Sequence, residues 1–399
     1  MVTQTIDCIC PSQLTAEDAR RWNELAALRP DLTGPYFDVR YVKAIAADVP
    51  HCGVARIHHD GVVVGYFPYQ LRSRVMQPLG APMSDYHGVI AAPETEIDFN
   101  ALLRATGARR LEFQGWIGPP APKASGILLR RRVADLTDGY DQWWAARNAE
   151  HHKFFKNIGR CQRNVEKDFG GFAFTWERVT PEVMDWVVAL KREQYRKSAM
   201  HDVFGCGWTR KMLTDLAAYD DDHYGLRVGV FRHDGKIVAA EIGLMGADEV
   251  HLWFPAYDPA YYRYSVGILL AVAIIKDVSA QGIKRFDFGT GGEEYKAPLT
   301  VEMGECMEGD YHSSYKLLSK IVDKATAVLP VARTKVDAAR LSFRRRVSLI
   351  RATETDISGW GRASWDLAKR AWLRRPQRPA QKPAIAPSVV SIGTEAKTI

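Results

Sequence analysis

The chain carries one short pattern twice, and any fold that accommodates it must be built from two like units. Val54 to His58, Asp60-Gly61 and Val62 to Phe67 read as strand, tight turn and strand. Val228 to Arg232, Asp234-Gly235 and Lys236 to Glu241 read the same way, with the shared His-Asp-Gly at 59–61 and 233–235, an offset of 174. Asp-Gly between alternating β-rich runs is a strong hairpin signal, because a type I′ turn needs positive φ at both central residues. A second match sets Gly107-Ala-Arg-Arg-Leu-Glu-Phe against Gly282-Ile-Lys-Arg-Phe-Asp-Phe at an offset of 175. Both read as a helix C-cap glycine, basic residues, and a strand with one acidic residue between apolar ones. A third echo sets Ile6 to Pro11 against Thr175 to Pro181.

Each unit reads as strand, helix, hairpin, strand, helix, strand. In the second copy the strands and helices are expected at Phe172 to Val179, Pro181 to Lys197, the 228–245 hairpin, Glu249 to Phe254, Val266 to Gln281 and Arg285 to Phe288. The closing strand–helix–strand implies a right-handed parallel crossover beside antiparallel strands, hence a mixed sheet and an α+β fold. Between the copies lies a helical connector, Tyr140 to Phe169. Lys153, Lys156, Arg160, Arg163 and Lys167 are spaced 3, 4, 3 and 4 and share one helix face, beside an apolar stripe of Phe154, Ile158, Cys161 and Val165. That face is either a solvated edge or a basic rail turned toward an anionic ligand.

Composition narrows the class. The 399 residues are 46% hydrophobic and 25% charged, an ordinary globular balance with length for two to three domains. The longest apolar run, Val266 to Ile275, ends at Lys276, well short of the roughly 20 residues a bilayer requires. The first ten residues show no signal-peptide pattern, so a cytoplasmic protein is expected. Six cysteines without a C-x-x-C pair argue for reduced thiols and against a zinc site or a disulfide framework; no metal is expected. The net charge of +7 is uneven: residues 311–399 hold 18 Lys and Arg against 6 Asp and Glu, leaving 36 against 41 for residues 1–310. An anionic partner is therefore expected first at the C-terminal end; DNA is not expected.

Two segments of the second copy carry candidate chemistry. After the strand ending near Trp253, Arg263-Tyr264-Ser265-Val266-Gly267 opens a helix, with Ser265 placed to cap it. The bare N–H groups of a first turn and the positive end of the helix dipole favour an anion, and Arg263 could add a charge-assisted contact. The first copy has acidic residues, Glu94-Thr95-Glu96, at the corresponding place. If the unit binds an anion, the second copy does it. The other segment, Phe286-Asp287-Phe-Gly-Thr-Gly-Gly-Glu-Glu294-Tyr-Lys296, ends a buried-looking strand in a glycine-rich loop suited to close backbone approach. Ser84-Asp85-Tyr86-His87 in the first copy forms a polar cluster in a loop bounded by proline and glycine.

These residues resemble a known family. Asp287-Phe-Gly-x-Gly-x-Glu-x-Tyr-Lys296, with Ala256-Tyr-Asp and Tyr264-Ser-x-Gly-x-Leu-Leu270 before it, resembles the CelD-like branch of the GNAT acyltransferase superfamily. Phe155-Lys-Asn-Ile-x-Arg160-x-x-Arg163 resembles its basic connector, and the likeness spans roughly residues 30 to 312. The resemblance implies tandem GNAT-like mixed-sheet domains, as in Fem-type aminoacyl transferases. It implies a first domain at 1–135 acting as scaffold or acceptor side, a connector at 136–170, and a second domain at 171–312 for donor binding and catalysis. It further implies acyl-CoA as co-substrate, held at Arg263 through Gly267, and an amino sugar of a bacterial exopolysaccharide or its precursor as acceptor. Proton removal from the amine and stabilisation of the oxyanion then fall to Lys296, Glu294, Asp287, Asp85 and His87 as candidates.

Beyond 312 the chain reads as a basic helical extension at 313–375 and a disordered tail at 376–399. Arg344-Arg345-Arg346 and the tryptophans Trp360, Trp365 and Trp372 suit a helix on an anionic membrane surface, or a site for a cyclic dinucleotide. The competing reading is a helix packed on the body with its arginines solvated. Two other functions stay open at this point: a Fem-type transferase using aminoacyl-tRNA, and a non-catalytic effector that reads a nucleotide or membrane.

Overall fold

The two Asp-Gly turns form as their chemistry requires: φ is +50° and +83° at Asp60 and Gly61, and +47° and +75° at Asp234 and Gly235. They join β2 (Cys52–His59) to β3 (Val62–Arg72) and β9 (Gly225–His233) to β10 (Lys236–Met245). Each hairpin carries a bulge one turn from its tip. The ladder steps over Val64 between Ile57↔Gly65 and His58↔Val63, and over Val238 between Ile237↔Arg232 and Ala239↔Phe231. The two bulged residues are 174 apart, the offset of the sequence repeat. A bulge bends and twists a strand in a way packing must accommodate, so its recurrence marks two copies of one unit.

In the first copy these strands are flanked by β1 (Gln4–Ile9), β4 (Val75–Pro78), the two-residue β5 (Ile90–Ala91) and β6 (Arg110–Trp116). β7 (Ser125–Asp135) follows; in the second copy come β8 (Ala173–Arg178), β11 (Glu249–Tyr257), β12 (Arg285–Asp287) and β13 (Val301–His312). The helices are α1 (Ala16–Ala27), α2 (Val39–Ile45), α3 (Phe99–Thr106), α4 (Tyr140–Glu150), α5 (His152–Phe169), α6 (Pro181–Ser198), α7 (Trp208–Ala217), α8 (Val266–Ala280), α9 (Lys296–Leu299) and α10 (Pro330–Thr353). This computed structural model describes residues 4–119, 125–198, 200–219, 221–291, 294–312, 330–356 and 358–365. Glu293, Trp372 and the tail at 376–399 lie outside the described residues.

All strands form one sheet, in the order β1-β2-β3-β4-β6-β13-β7-β12-β11-β10-β9-β8, with β5 on β3. The middle of that order is an exchange. β7, from the first half, pairs antiparallel with β12 of the second, while β13, from the end of the second, pairs antiparallel with β6 of the first. β7 and β13 also pair with each other. Each unit therefore closes its sheet with a strand from its sibling, and the sheet runs through both without an edge between them. Only β4 with β6 and β11 with β12 are parallel, as the expected crossovers require.

One face of the sheet is covered by α1, α2, α6 and α7 over a core that includes Trp22, Tyr36, Phe37, Val187, Met212 and Leu244. On the opposite face, α3 packs on the first copy, and α4, α5 and α8 pack on the second. α5 buries Phe155, Ile158, Cys161 and Val165, one position from the expected stripe at its start, and leaves Lys153, Lys156, Arg160, Arg163 and Lys167 exposed. α10 lies back along the first copy. Its Arg344 pairs with Asp310 at 2.9 Å, Arg345 with Glu308, and Arg351 and Ser348 with Glu112. Two of the three clustered arginines are thus tied to β13 carboxylates, and the packed-helix reading of this segment describes 342–353. Trp360 sits 5.9 Å from the Arg351 guanidinium, and Trp365 is exposed.

Candidate active site

β11 and β12 stay paired for only three residues, Glu249↔Arg285, Val250↔Phe286 and His251↔Asp287, and then separate. On its other side β11 loses register with β10 at the same level: the ladder steps from Ile242↔Phe254 to Gly243↔Leu252, so Trp253 is a bulged residue without a partner. A bulge where two strands part opens a cleft in the sheet and turns backbone groups away from the ladder.

At the apex of that cleft sits a buried charge cluster. Asp287, fully buried, accepts from Arg131 Nε at 3.0 Å and Nη2 at 2.6 Å, from Tyr86 Oη at 3.3 Å and from the Gly289 N–H at 2.7 Å. Arg131, on the exchanged strand β7, also reaches Glu249 at 2.7 Å, whose other oxygen accepts from Arg285 at 3.1 Å. Burial alone would raise the Asp287 pKa, but Arg131 and His251 outweigh it and hold the carboxyl well below the usual carboxylate range.

His251, fully buried, stands between two carboxylates from different units. Its Nε2 is 2.7 Å from Asp85 Oδ2, and its Nδ1 is 3.7 Å from Asp287 Oδ2, a contact longer than a hydrogen bond. Tyr36 and Tyr86 meet the imidazole edge-on at 5.2 and 5.3 Å. Burial opposes a charged ring, yet Asp287 and Asp85 outweigh it and raise the pKa to about 9. The ring is therefore an imidazolium at neutral pH. Asp85 is the member that reaches solvent, with 47% of its side chain exposed.

The loop bearing Asp85 is clamped onto β6. The His87 N–H donates to Gly115 O and the Ile117 N–H to His87 O. Gly115 has φ +65°, and a Cβ there would lie 1.9 Å from the Asp85 carbonyl oxygen. Only glycine permits both the conformation and the approach.

The other candidates from the sequence are placed apart or differently. His87 points away from this cluster into an aromatic pocket with Phe67 and Trp116, and burial pushes its pKa down to about 3. Neither of its ring nitrogens has a hydrogen-bond partner among the described residues. Glu294 is exposed in the turn before α9. Lys296 is buried in α9, and its charge acts on Glu241, a fully buried carboxyl that burial raises to about 8. Ser265 stands at the N-cap of α8 as expected, but at φ +53° and without a side-chain cap bond; its carbonyl accepts from the Ile268 and Leu269 N–H groups. Arg263 lies 3.6 Å from Asp168 of α5, which also accepts from Tyr264 Oη at 2.7 Å, so the expected anion-binding arginine is shared with a carboxylate. Val266 is buried and Gly267 half-buried, with Tyr257 in van der Waals contact, 3.6 Å from where a Cβ on Gly267 would lie.

His251, Arg131 and Glu249 were not singled out by the sequence reading. For Glu249 and His251 the one sequence signal is the alternation Glu249-Val-His251-Leu, which puts two ionisable groups on one face of an otherwise apolar strand. Among the described residues no group of side chains is arranged to hold a metal ion.

In sequence, residues 152–297 match the acetyltransferase (GNAT) domain. No curated protein matches the chain significantly in sequence. Among solved structures, the fold is similar to a glucosamine N-acetyltransferase region of a fungal multi-domain β-N-acetylglucosaminidase: 11% identity, TM-score 0.44, 78% of this chain and 38% of that one. It is also similar to the C-terminal domain of a putative lysylphosphatidylglycerol synthetase from Agrobacterium fabrum: 14% identity, TM-score 0.47, 77% of this chain and 95% of that one. A tandem GNAT protein of the clavulanic acid pathway matches at 10% identity and TM-score 0.46, over 77% of this chain and 97% of that one. The chain spans well under half the length of the first of these. Likenesses at these levels carry no argument about substrate. Residues 152–297 thus carry an acetyltransferase (GNAT) domain, and the mixed sheet with its parted strands is a GNAT-like fold built of two like units that exchange their last strands.

Proposed function

We propose that the protein transfers an acyl group from acyl-CoA to the amine of an amino sugar in an exopolysaccharide or its precursor, as the CelD-like resemblance implies. The observation that carries this reading is the Asp85–His251–Asp287 alignment at the apex of the β11/β12 cleft, with its one exposed carboxylate contributed by the other unit.

The residues present fit such a donor. The cleft between the parted strands would take an extended arm, and the N–H groups of Val266 and Gly267 that open α8 would receive a phosphate, with Arg263 beside them. When bound, the thioester supplies an activated carbonyl carbon. Asp85 attracts the incoming ammonium, and the oxygen turned from His251 accepts its proton. The free amine then forms the C–N bond as the C–S bond breaks and the thiolate leaves with a proton. The His251 imidazolium, anchored by Asp287, holds Asp85 in place and acts as its positioning residue.

Steady-state assays with acetyl-CoA and glucosamine derivatives test the reading. Asp85→Asn is expected to lower kcat about 10²- to 10⁴-fold, the range for losing a positioned proton acceptor. Wild-type turnover in that variant would overturn the assignment. The exposed cation row on α5 favours one second reading, an aminoacyl-tRNA donor; acyl-CoA turnover that is insensitive to added RNA would remove it.

A further inference from the structure

The first unit has a cleft of its own. β4 and β6 pair in parallel at Val75↔Arg110 and Met76↔Leu111, then separate, as β11 and β12 do after His251↔Asp287. By the offsets of 174 and 175, Gln77 stands where His251 does and Glu112 where Asp287 does. In the first unit, however, these groups form a closed network. Gln77 Nε2 donates to Glu112 at 3.1 Å and to Ser348 Oγ at 3.1 Å, and Ser348 and Arg351 donate to Glu112. Among the described residues the one carboxylate lining this cleft, Glu112, is taken up by Gln77, Ser348 and Arg351.

α10 forms its roof. Between α10 and the parted strands lies an open cleft of about 490 Å³, lined among others by Ser84, Gln114, Met200, Arg345 and Arg346. That volume is in the range of small-molecule sites. Its charged lining is Arg345, Arg346 and Glu112: Arg345 is paired with Glu308 of β13 and Glu112 with Arg351, so the charge left facing the opening is that of Arg346. Arg346 is exposed on the cleft wall, and neither it nor Gln114 has a polar partner among the described residues.

The cleft leads toward the catalytic carboxylate. Ser84 lines it, and the next residue is Asp85. Met200, also on its wall, donates its N–H to Tyr195 O, and Tyr195 lies close enough to Asp85 to feel its charge. A ligand held by one end at Arg346 would extend along this wall, past Ser84, toward Asp85.

We propose that this first-unit cleft binds the phosphate-bearing end of the acceptor glycan, with Arg346 and Arg345 on the phosphate and Gln114 on a sugar hydroxyl, so that the amine is delivered to Asp85. The proposal rests on the acyl-transfer reading and names the class of its acceptor: an amino sugar carried on a phosphate. The phosphate belongs either to a soluble sugar phosphate or to a lipid carrier.

Titration calorimetry on the full chain with glucosamine, glucosamine 1-phosphate and UDP-glucosamine, and flotation with phosphatidylcholine vesicles containing polyprenyl phosphate, separate the cases. Phosphorylated ligands are expected to bind, from solution or on vesicles, and Arg346→Glu is expected to weaken them roughly tenfold or more. The same variant is expected to raise KM for the phosphorylated acceptor with kcat nearly unchanged, and Gln114→Leu to do so more mildly. Both side chains are exposed, so both variants should fold. Equal binding of glucosamine and glucosamine 1-phosphate with no capture on the vesicles, or phosphate binding that survives Arg346→Glu, overturns the proposal. Arg346-dependent phosphate binding in a protein that transfers no acyl group would keep this site and sink the acyl-transfer reading instead.

Discussion

His251 and His87 show how differently one residue type behaves under equal burial. Both are enclosed, but His251 has two carboxylates within reach and His87 has two aromatic rings. Their stability contributions therefore run in opposite directions with pH. The His251 pKa is raised from 6.5 to about 9, so its contribution is fully present below 6.5 and is lost as pH rises through 9. The His87 pKa is lowered to about 3; the unfolded chain takes up a proton near 6.5 and the folded one does not, so stability falls as pH drops from 6.5 toward 3. Thermal melts across pH are expected to decline on both sides. His251→Gln should flatten the alkaline decline and His87→Leu the acid one, and an unchanged acid limb in His87→Leu would refute its assignment. If the imidazolium positions Asp85, kcat should also fall above about pH 9 in the wild type, read from a pH–rate profile at saturating substrate.

At the scale of elements, the exchanged strand β7 is both structural and chemical. It fills the gap between β12 and β13 and delivers Arg131 to two buried carboxylates. Arg131→Met would leave Glu249 with Arg285 and Asp287 with His251 at 3.7 Å, without the guanidinium that bridges the two carboxylates. The expected cost is about 3–5 kcal/mol, measured by denaturant unfolding, with loss of turnover. The β6 clamp allows a finer test. Gly115→Ala would force the Asp85 carbonyl aside, and it is expected to reduce kcat without moving the secondary-structure signal. In α10, Arg351→Ala and Ser348→Ala leave Glu112 short of partners, and each should destabilise the α10 contact by about 1–3 kcal/mol.

For the whole molecule, the exchange makes each half incomplete. Residues 136–312 expressed alone lack β7 and the Arg131 that neutralises their buried carboxylates, and residues 1–135 lack β13. Each fragment is expected to be insoluble or unfolded, and co-expression should recover a folded complex. Independent folding of either fragment would show that the exchange is dispensable. Across the described residues no helix is long and apolar enough to cross a membrane.

Local chemistry was legible in the chain. Asp-Gly turns, capping glycines and alternating runs depend on neighbours a few residues away, so the hairpins, the closing helix and strand of each unit, and the duplication itself could be read directly. Asp287 and Asp85 were legible as polar residues in apolar or glycine-bounded settings, though nothing in their spacing ties one to the other. Partnership across the sheet was decided only by the fold. β7 and β13 lie outside the elements read from the repeat, and their exchange depends on which edge is open when both units assemble. That exchange brings Arg131 to Asp287, sets Asp85 of one unit on His251 of the other, and closes α10 over the first cleft. These contacts join residues 34 to 239 positions apart, and a sequence read along its length has no period that could reveal them.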